Sequence, residues 1–202
     1  MTTLPHRRKV AVLISGRGSN MQALVAAASD PAYPVEIILV ISNKPNAAGL
    51  IFASQHKIAT TVIDHRTFDG RQDFEAALDA ALVSHGVELV CLAGFMRVLT
   101  EWFINRWSGR LINIHPALLP AFGGKGFHGM HVHRAVLDRG CTVSGCTVHL
   151  VDNEYDHGRI LLQKTVPVLR DDSPESLAAR VFAAECQALP EAIRLIASGS
   201  LP

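Results

Sequence analysis

In "LINIHPALLP" (111–120), Asn113 and His115 stand two apart in an otherwise apolar run. Successive strand residues face opposite sides, so a period of two aims the amide and the imidazole the same way. At the carboxyl end of a strand in an open α/β sheet, where ligands bind, such a pair can polarise a carbonyl and move a proton. The alternative is a satisfied pair of strand-end polar groups bonded to loop backbone. In "DNEYDHG" (152–158), Asp156 is one of three acids in a turn. Turn acids commonly bond their own backbone or face solvent. If this turn folds over the same sheet edge, Asp156 orients or charges His115 and completes an amide, imidazole and carboxylate around one reacting centre.

The stretch "ISGRGSNMQAL" (14–24) places Gly18, Ser19 and Asn20 between a strand and a helix. Free backbone N–H groups and the helix dipole there suit an anion such as phosphate. The third glycine of a dinucleotide fingerprint and the Gly-Lys-Ser/Thr of a Walker A loop are both missing, so neither NAD nor ATP is indicated. A plain tight turn remains an equal alternative. "GFMRVL" (94–99) sets Met96, Val98 and Leu99 around Arg97, either as core or as the apolar wall of a flat ligand's pocket. "HGMHVH" supplies His128, His131 and His133. No carboxylate or cysteine stands at a familiar zinc spacing, and His131 and His133 diverge on a helix, so no metal is expected. Cys91, Cys141, Cys146 and Cys186 are scattered without a C-x-x-C pair and read as buried thiols.

These groups must be held by a scaffold. The apolar runs 9–15, 35–42, 60–64, 87–94 and 110–115 read as strands buried on both faces, which favours a parallel sheet. Segments 20–29, 46–57 and 69–86 between them carry the i, i+3, i+4 apolar spacing of helices packed on such a sheet. The fold class is therefore α/β, a Rossmann-like, mainly parallel twisted sheet with helices on both faces. Residues 117–131, rich in glycine and bracketed by prolines, read as a long loop. Two further strands, 142–151 and 160–169, form a hairpin around the acidic turn, and a long final helix starts at Ser173, where "SPES" offers an N-cap and an N1 proline.

A length of 202 residues suits one domain with a well-buried core. With 49% hydrophobic residues, 18% charged and a net charge of +1, the chain has no basic field to gather nucleic acid. It shows neither a signal-peptide core nor an apolar run near the ~18 residues needed to span a bilayer, so a cytoplasmic protein without a membrane partner is expected.

In order, "SGRGSN", "SNKPNAAGL", "LAGFMRVL", "LINIHPALLP", "GCTVHLVDNEYDHG" and "ARVFAAECQALP" resemble the motif series of the folate-dependent glycinamide ribonucleotide formyltransferases, over nearly the whole chain. The resemblance implies a single formyltransferase domain over 1–202, with a phosphate-binding half at about 1–110 and a folate and catalytic part at about 111–202. It implies Asn113, His115 and Asp156 as the catalytic trio. It puts Gly18, Ser19 and Asn20 on the phosphate of the ribonucleotide, and Glu185 on its amine. Arg71, Met96, Arg97, Val98, Leu99, Leu111 and Val151 would line the folate pocket, some through backbone atoms. The implied reaction moves a formyl group from 10-formyltetrahydrofolate, the co-substrate, to the amine of glycinamide ribonucleotide in purine biosynthesis. It needs no metal, and a homodimer stays open.

The chain departs from the family pattern twice. The segment after "LLP" is longer than the usual proline-glycine-leucine turn, and Asp-Gly-Gly is replaced by Asp156-His157-Gly158, which stiffens the turn. A methionyl-tRNA formyltransferase would need a further C-terminal domain, and a formyltetrahydrofolate deformylase an N-terminal regulatory one. A non-catalytic Rossmann-like nucleotide-binding module would leave Asn113, His115 and Asp156 without a role.

Overall fold

The computed structural model describes residues 6–200. Strands β1 (Arg8–Ile14), β2 (Val35–Ser42), β3 (Ala59–Val62), β4 (Leu89–Leu92) and β5 (Leu111–His115) pair in parallel. A hairpin, β6 (Val143–Leu150) and β7 (Ile160–Pro167), joins antiparallel at β5. Together they make a seven-stranded sheet in the order β3-β2-β1-β4-β5-β6-β7. The central strands read as unbroken apolar runs because both faces are covered. Val10, Val12 and Ile14 of β1 join a core with helix α1 (Ser19–Ala28) and the long C-terminal helix, whereas Ala11 and Leu13 join another with Phe74, Leu78 and Leu82.

Helix α2 (Ala48–Gln55) follows β2, and α3 (Arg71–Ser84) follows a short 3-10 turn, His65–Thr67. Three differences from the sequence reading have physical causes. β3 lies at the sheet edge and is largely exposed instead of buried on both faces. A six-residue helix, α4 (Glu101–Arg106), occupies a stretch too short to display a period. The segment read as a loop over 117–131 ends earlier, because helix α5 (Met130–Asp138) takes up Met130 and His131. Helix α6 (Pro174–Ala197) starts as the sequence predicts: Ser173 accepts from the Ser176 N–H, the Ser176 hydroxyl reciprocates, and Pro174 is the first helical residue. Among the described residues, no helix is long and apolar enough to cross a membrane.

Candidate active site

The antiparallel pairing of β5 with β6 sets Asn113 opposite His149 and His115 opposite Thr147. Residues directly opposite share a face, so His149 meets Asn113, with His149 Nε2 3.2 Å from Asn113 Nδ2. His149 Nδ1 lies 2.8 Å from the Leu150 carbonyl, which can only accept, so Nδ1 carries the proton and bare Nε2 accepts from the Asn113 amide. Burial pushes the His149 pKa down, against the pull of the Leu150 carbonyl and Asp156, which keeps this ring neutral. The direction in which the Asn113 amide faces is thereby fixed.

His115 is almost fully buried. Its Nε2 is 2.8 Å from the backbone carbonyl of Phe122. That carbonyl also only accepts, so Nε2 keeps a proton in both charge states and Nδ1 is the nitrogen that exchanges one. Nδ1 faces Asp156, whose Oδ2 is 3.5 Å away, while Asp156 Oδ1 lies 3.7 Å from His149 Nε2. Asp156 Oδ2 also accepts from the Gly124 N–H at 2.9 Å.

The turn between β6 and β7 folds over the carboxyl end of β5, as the trio requires. Asp156 itself has φ +52, a left-handed conformation that its short side chain tolerates. Gly158 can only be glycine here, since a Cβ would collide with the Leu150 carbonyl. His157 Nδ1 bonds Asp152 Oδ2 at 2.8 Å, bracing the same turn. Residues 117–124 are tied down as well: the Leu119 N–H donates to Thr147 Oγ1 at 3.0 Å, Thr147 Oγ1 to the Ala117 carbonyl at 2.7 Å, and Gln163 Nε2 to the Leu119 carbonyl at 2.9 Å. Phe122 and Gly124 therefore reach the trio from an anchored segment.

A cavity of about 490 Å³ opens beside β1, lined by Ser15 to Asn20, Gly94, Met96 and Phe182. Gly18 caps α1 with φ +66, and no side chain satisfies the helix's first N–H groups, which leaves them for an anion. Asn20 Nδ2 donates to Glu185 Oε2 at 2.8 Å, joining α1 to the middle of α6. Burial raises the Glu185 pKa, and the Asn20 hydrogen bond only partly offsets this. Asn20 Oδ1 is buried without a partner, a free acceptor next to that acid.

The residues assigned to folate divide into two groups. Met96 and Val98 are exposed, and Arg71 and Arg97 line a second cavity of about 270 Å³ with His65 and Phe68. Arg97 Nε is buried and unpartnered. Leu99 and Leu111 are packed in the core and Val151 lies against it, so Leu99 and Leu111 offer a ligand only backbone; the Val151 N–H already donates to the Leu111 carbonyl at 2.9 Å. His128 and His131 stack edge to face, with ring centroids 5.3 Å apart, whereas buried His133 lies close enough to His115 for that charge to lower its pKa further, burial being the larger cause. Among the described residues, no three histidine, cysteine or acidic side chains gather as a metal site.

Sequence reasoning missed His149 and the Phe122 carbonyl. His149 had a usable signal, since it alternates with Thr147 and Val151 on a strand that must pair with Asn113. A backbone carbonyl has none.

Residues 8–193 match the Formyl transferase family. The chain is 38% identical over 194 residues to the phosphoribosylglycinamide formyltransferase of Haemophilus influenzae, covering 96% of this chain and 89% of that one. It is 46% identical to the trifunctional purine biosynthetic protein adenosine-3 of Bos taurus, where 98% of this chain spans only 19% of the larger protein. The crystal structure of phosphoribosylglycinamide formyltransferase from Brucella melitensis superposes with a TM-score of 0.89 at 45% identity, covering 97% of this chain and 98% of that one. A glycinamide ribonucleotide transformylase from Symbiobacterium toebii gives a TM-score of 0.92 at 40% identity, covering 98% and 92%.

Proposed function

Because the chain belongs to the formyl transferase family, and within it to the phosphoribosylglycinamide formyltransferases, we propose that it transfers the formyl group of 10-formyltetrahydrofolate to the primary amine of glycinamide ribonucleotide. The products are formylglycinamide ribonucleotide and tetrahydrofolate. The observation that carries this reading is that His115 at the end of β5 faces Asp156 of the β6–β7 turn at 3.5 Å, while His149 lies against both Asn113 and the same carboxylate. The phosphate of the ribonucleotide rests on the start of α1 at Gly18, Ser19 and Asn20, and Glu185 holds the amine. Arg71, Met96, Arg97, Val98, Leu99, Leu111 and Val151 receive the folate.

The amine nitrogen attacks the formyl carbon, and a new C–N bond forms while charge gathers on the formyl oxygen. The Asn113 amide, set by His149, and His115 Nδ1–H donate to that oxygen. One such donor is worth about 3–4 kcal/mol, or 10²–10³ in rate. Asp156 stabilises the imidazolium across 3.5 Å and moves the proton from the attacking nitrogen to the folate nitrogen that departs as its C–N bond breaks. No covalent enzyme intermediate is needed. The four free cysteines suit a reducing compartment, in keeping with a cytoplasmic enzyme.

The test is to incubate the protein with both substrates and separate the products. Formylated ribonucleotide from the native protein, lost in His115→Ala, is expected. Formate release instead would make it a hydrolase and overturn the reading.

A further inference from the structure

Asn43, buried at the carboxyl end of β2, has no part in the chemistry above. Its Oδ1 accepts from Ser15 Oγ at 2.6 Å, and Ser15 Oγ accepts from the Met96 N–H at 2.7 Å. Asn43 Nδ2 lies 3.2 Å from His65 Nδ1. The Met96 N–H can only donate, and Ser15 Oγ gives its own proton to Asn43 Oδ1. The Asn43 amide nitrogen then faces His65 Nδ1, which also lies 3.4 Å from the Asn43 backbone carbonyl.

A chain of hydrogen bonds thus runs from residue 96 through the ends of β1 and β2 to the 3-10 turn, and such chains polarise and strengthen one another. Its ends line different cavities: Ser15 and Met96 the one at the start of α1, His65 the one with Arg71 and Arg97.

Residues 95–100 belong to neither helix nor strand. The segment is pinned at its far end by buried Glu75, which accepts from the Thr100 N–H at 2.7 Å and from the Thr100 hydroxyl. At its near end the Ser15 hydroxyl accepts the Met96 N–H. Without Asn43 that hydroxyl has lost its buried acceptor, and nothing on β2 fixes its direction.

We infer that Asn43 is a positioning residue for the formyl donor: by fixing Ser15 Oγ it sets the backbone of residues 96–99, against which the folate lies. The inference rests on the formyl-transfer reading.

The test compares Asn43→Ala and Asn43→Asp by steady-state kinetics in both substrates and by equilibrium binding of an unreactive folate analogue with carbon in place of the formyl-bearing nitrogen. For Asn43→Ala, the folate KM and the analogue Kd should rise about tenfold, with kcat within about threefold and the ribonucleotide KM unchanged. Asn43→Asp keeps an acceptor for Ser15 and should restore most of the folate affinity. If Asn43→Ala does not fold, Asn43→Leu, which keeps the volume but removes the acceptor for Ser15, should show the same folate-selective loss. Unchanged folate KM and Kd, or a fall in kcat with folate binding intact, overturns the inference while native formyl transfer still stands. A native protein that transfers no formyl group overturns both.

Discussion

The backbone carbonyl of Phe122 lies 2.8 Å from Nε2 of His115, on the side of the ring away from Asp156. Phe122 holds φ +54, a costly backbone for a bulky residue, so the loop is bent to present this carbonyl. In ¹⁵N NMR of ring-labelled protein, His115 Nε2 should keep the protonated-type shift across the titration while Nδ1 alone moves. A neutral ring protonated at Nδ1 would contradict the assignment of the donor atom.

Asp156→Asn keeps an oxygen for the Gly124 N–H, so the turn should persist, but removes the charge facing His115. We expect kcat to fall about 10²–10³-fold with both KM values within a small factor, because the lost interaction belongs to the transition state. An unchanged kcat with weaker folate binding would refute the role.

Glu185, which holds the substrate amine in our reading, also bears on stability through its raised pKa. The folded state holds the neutral acid more readily than the unfolded chain does. This group's contribution to stability is therefore full below the ordinary value of 4.5 and is lost as pH rises through the folded value. Glu185→Gln should melt above the native protein at neutral pH, with the gap closing as the pH is lowered toward 4.5. Its kcat/KM for the ribonucleotide should drop about 10–100-fold. Equal melting temperatures at neutral pH would show that the buried charge costs the fold nothing.

The start of α1 carries the phosphate in our reading, through uncapped N–H groups behind Gly18. A ribonucleotide analogue lacking the phosphate should bind at least about 10²-fold more weakly. Gly18→Val, forced to φ +66 and into Met21 Cε, 3.1 Å from the added Cβ, should weaken the phosphorylated substrate selectively. If the two analogues bind alike, the anion site lies elsewhere.

Much of this was legible in the residues themselves. The inner strands announce themselves because burial on two faces forbids polar interruptions, which makes Asn113 and His115 conspicuous as the exceptions. Ser173 and Pro174 mark the start of α6 because a cap needs that chemistry at that place. By contrast, β3 has the composition of a buried strand but sits at an edge, a matter of strand order that local pattern does not encode. The role of His149 arises only from its register against Asn113, and that of Phe122 from a backbone atom. Nothing local marks Asn43, since its partners lie 28 residues earlier and 22 later.

The Asn20–Glu185 hydrogen bond joins residues 165 apart in sequence. That bond forms only once α1 and α6 have both docked on the same face of the sheet, so it closes a loop of nearly the whole described chain and ties the fit of the glycine turn to the seating of the last helix.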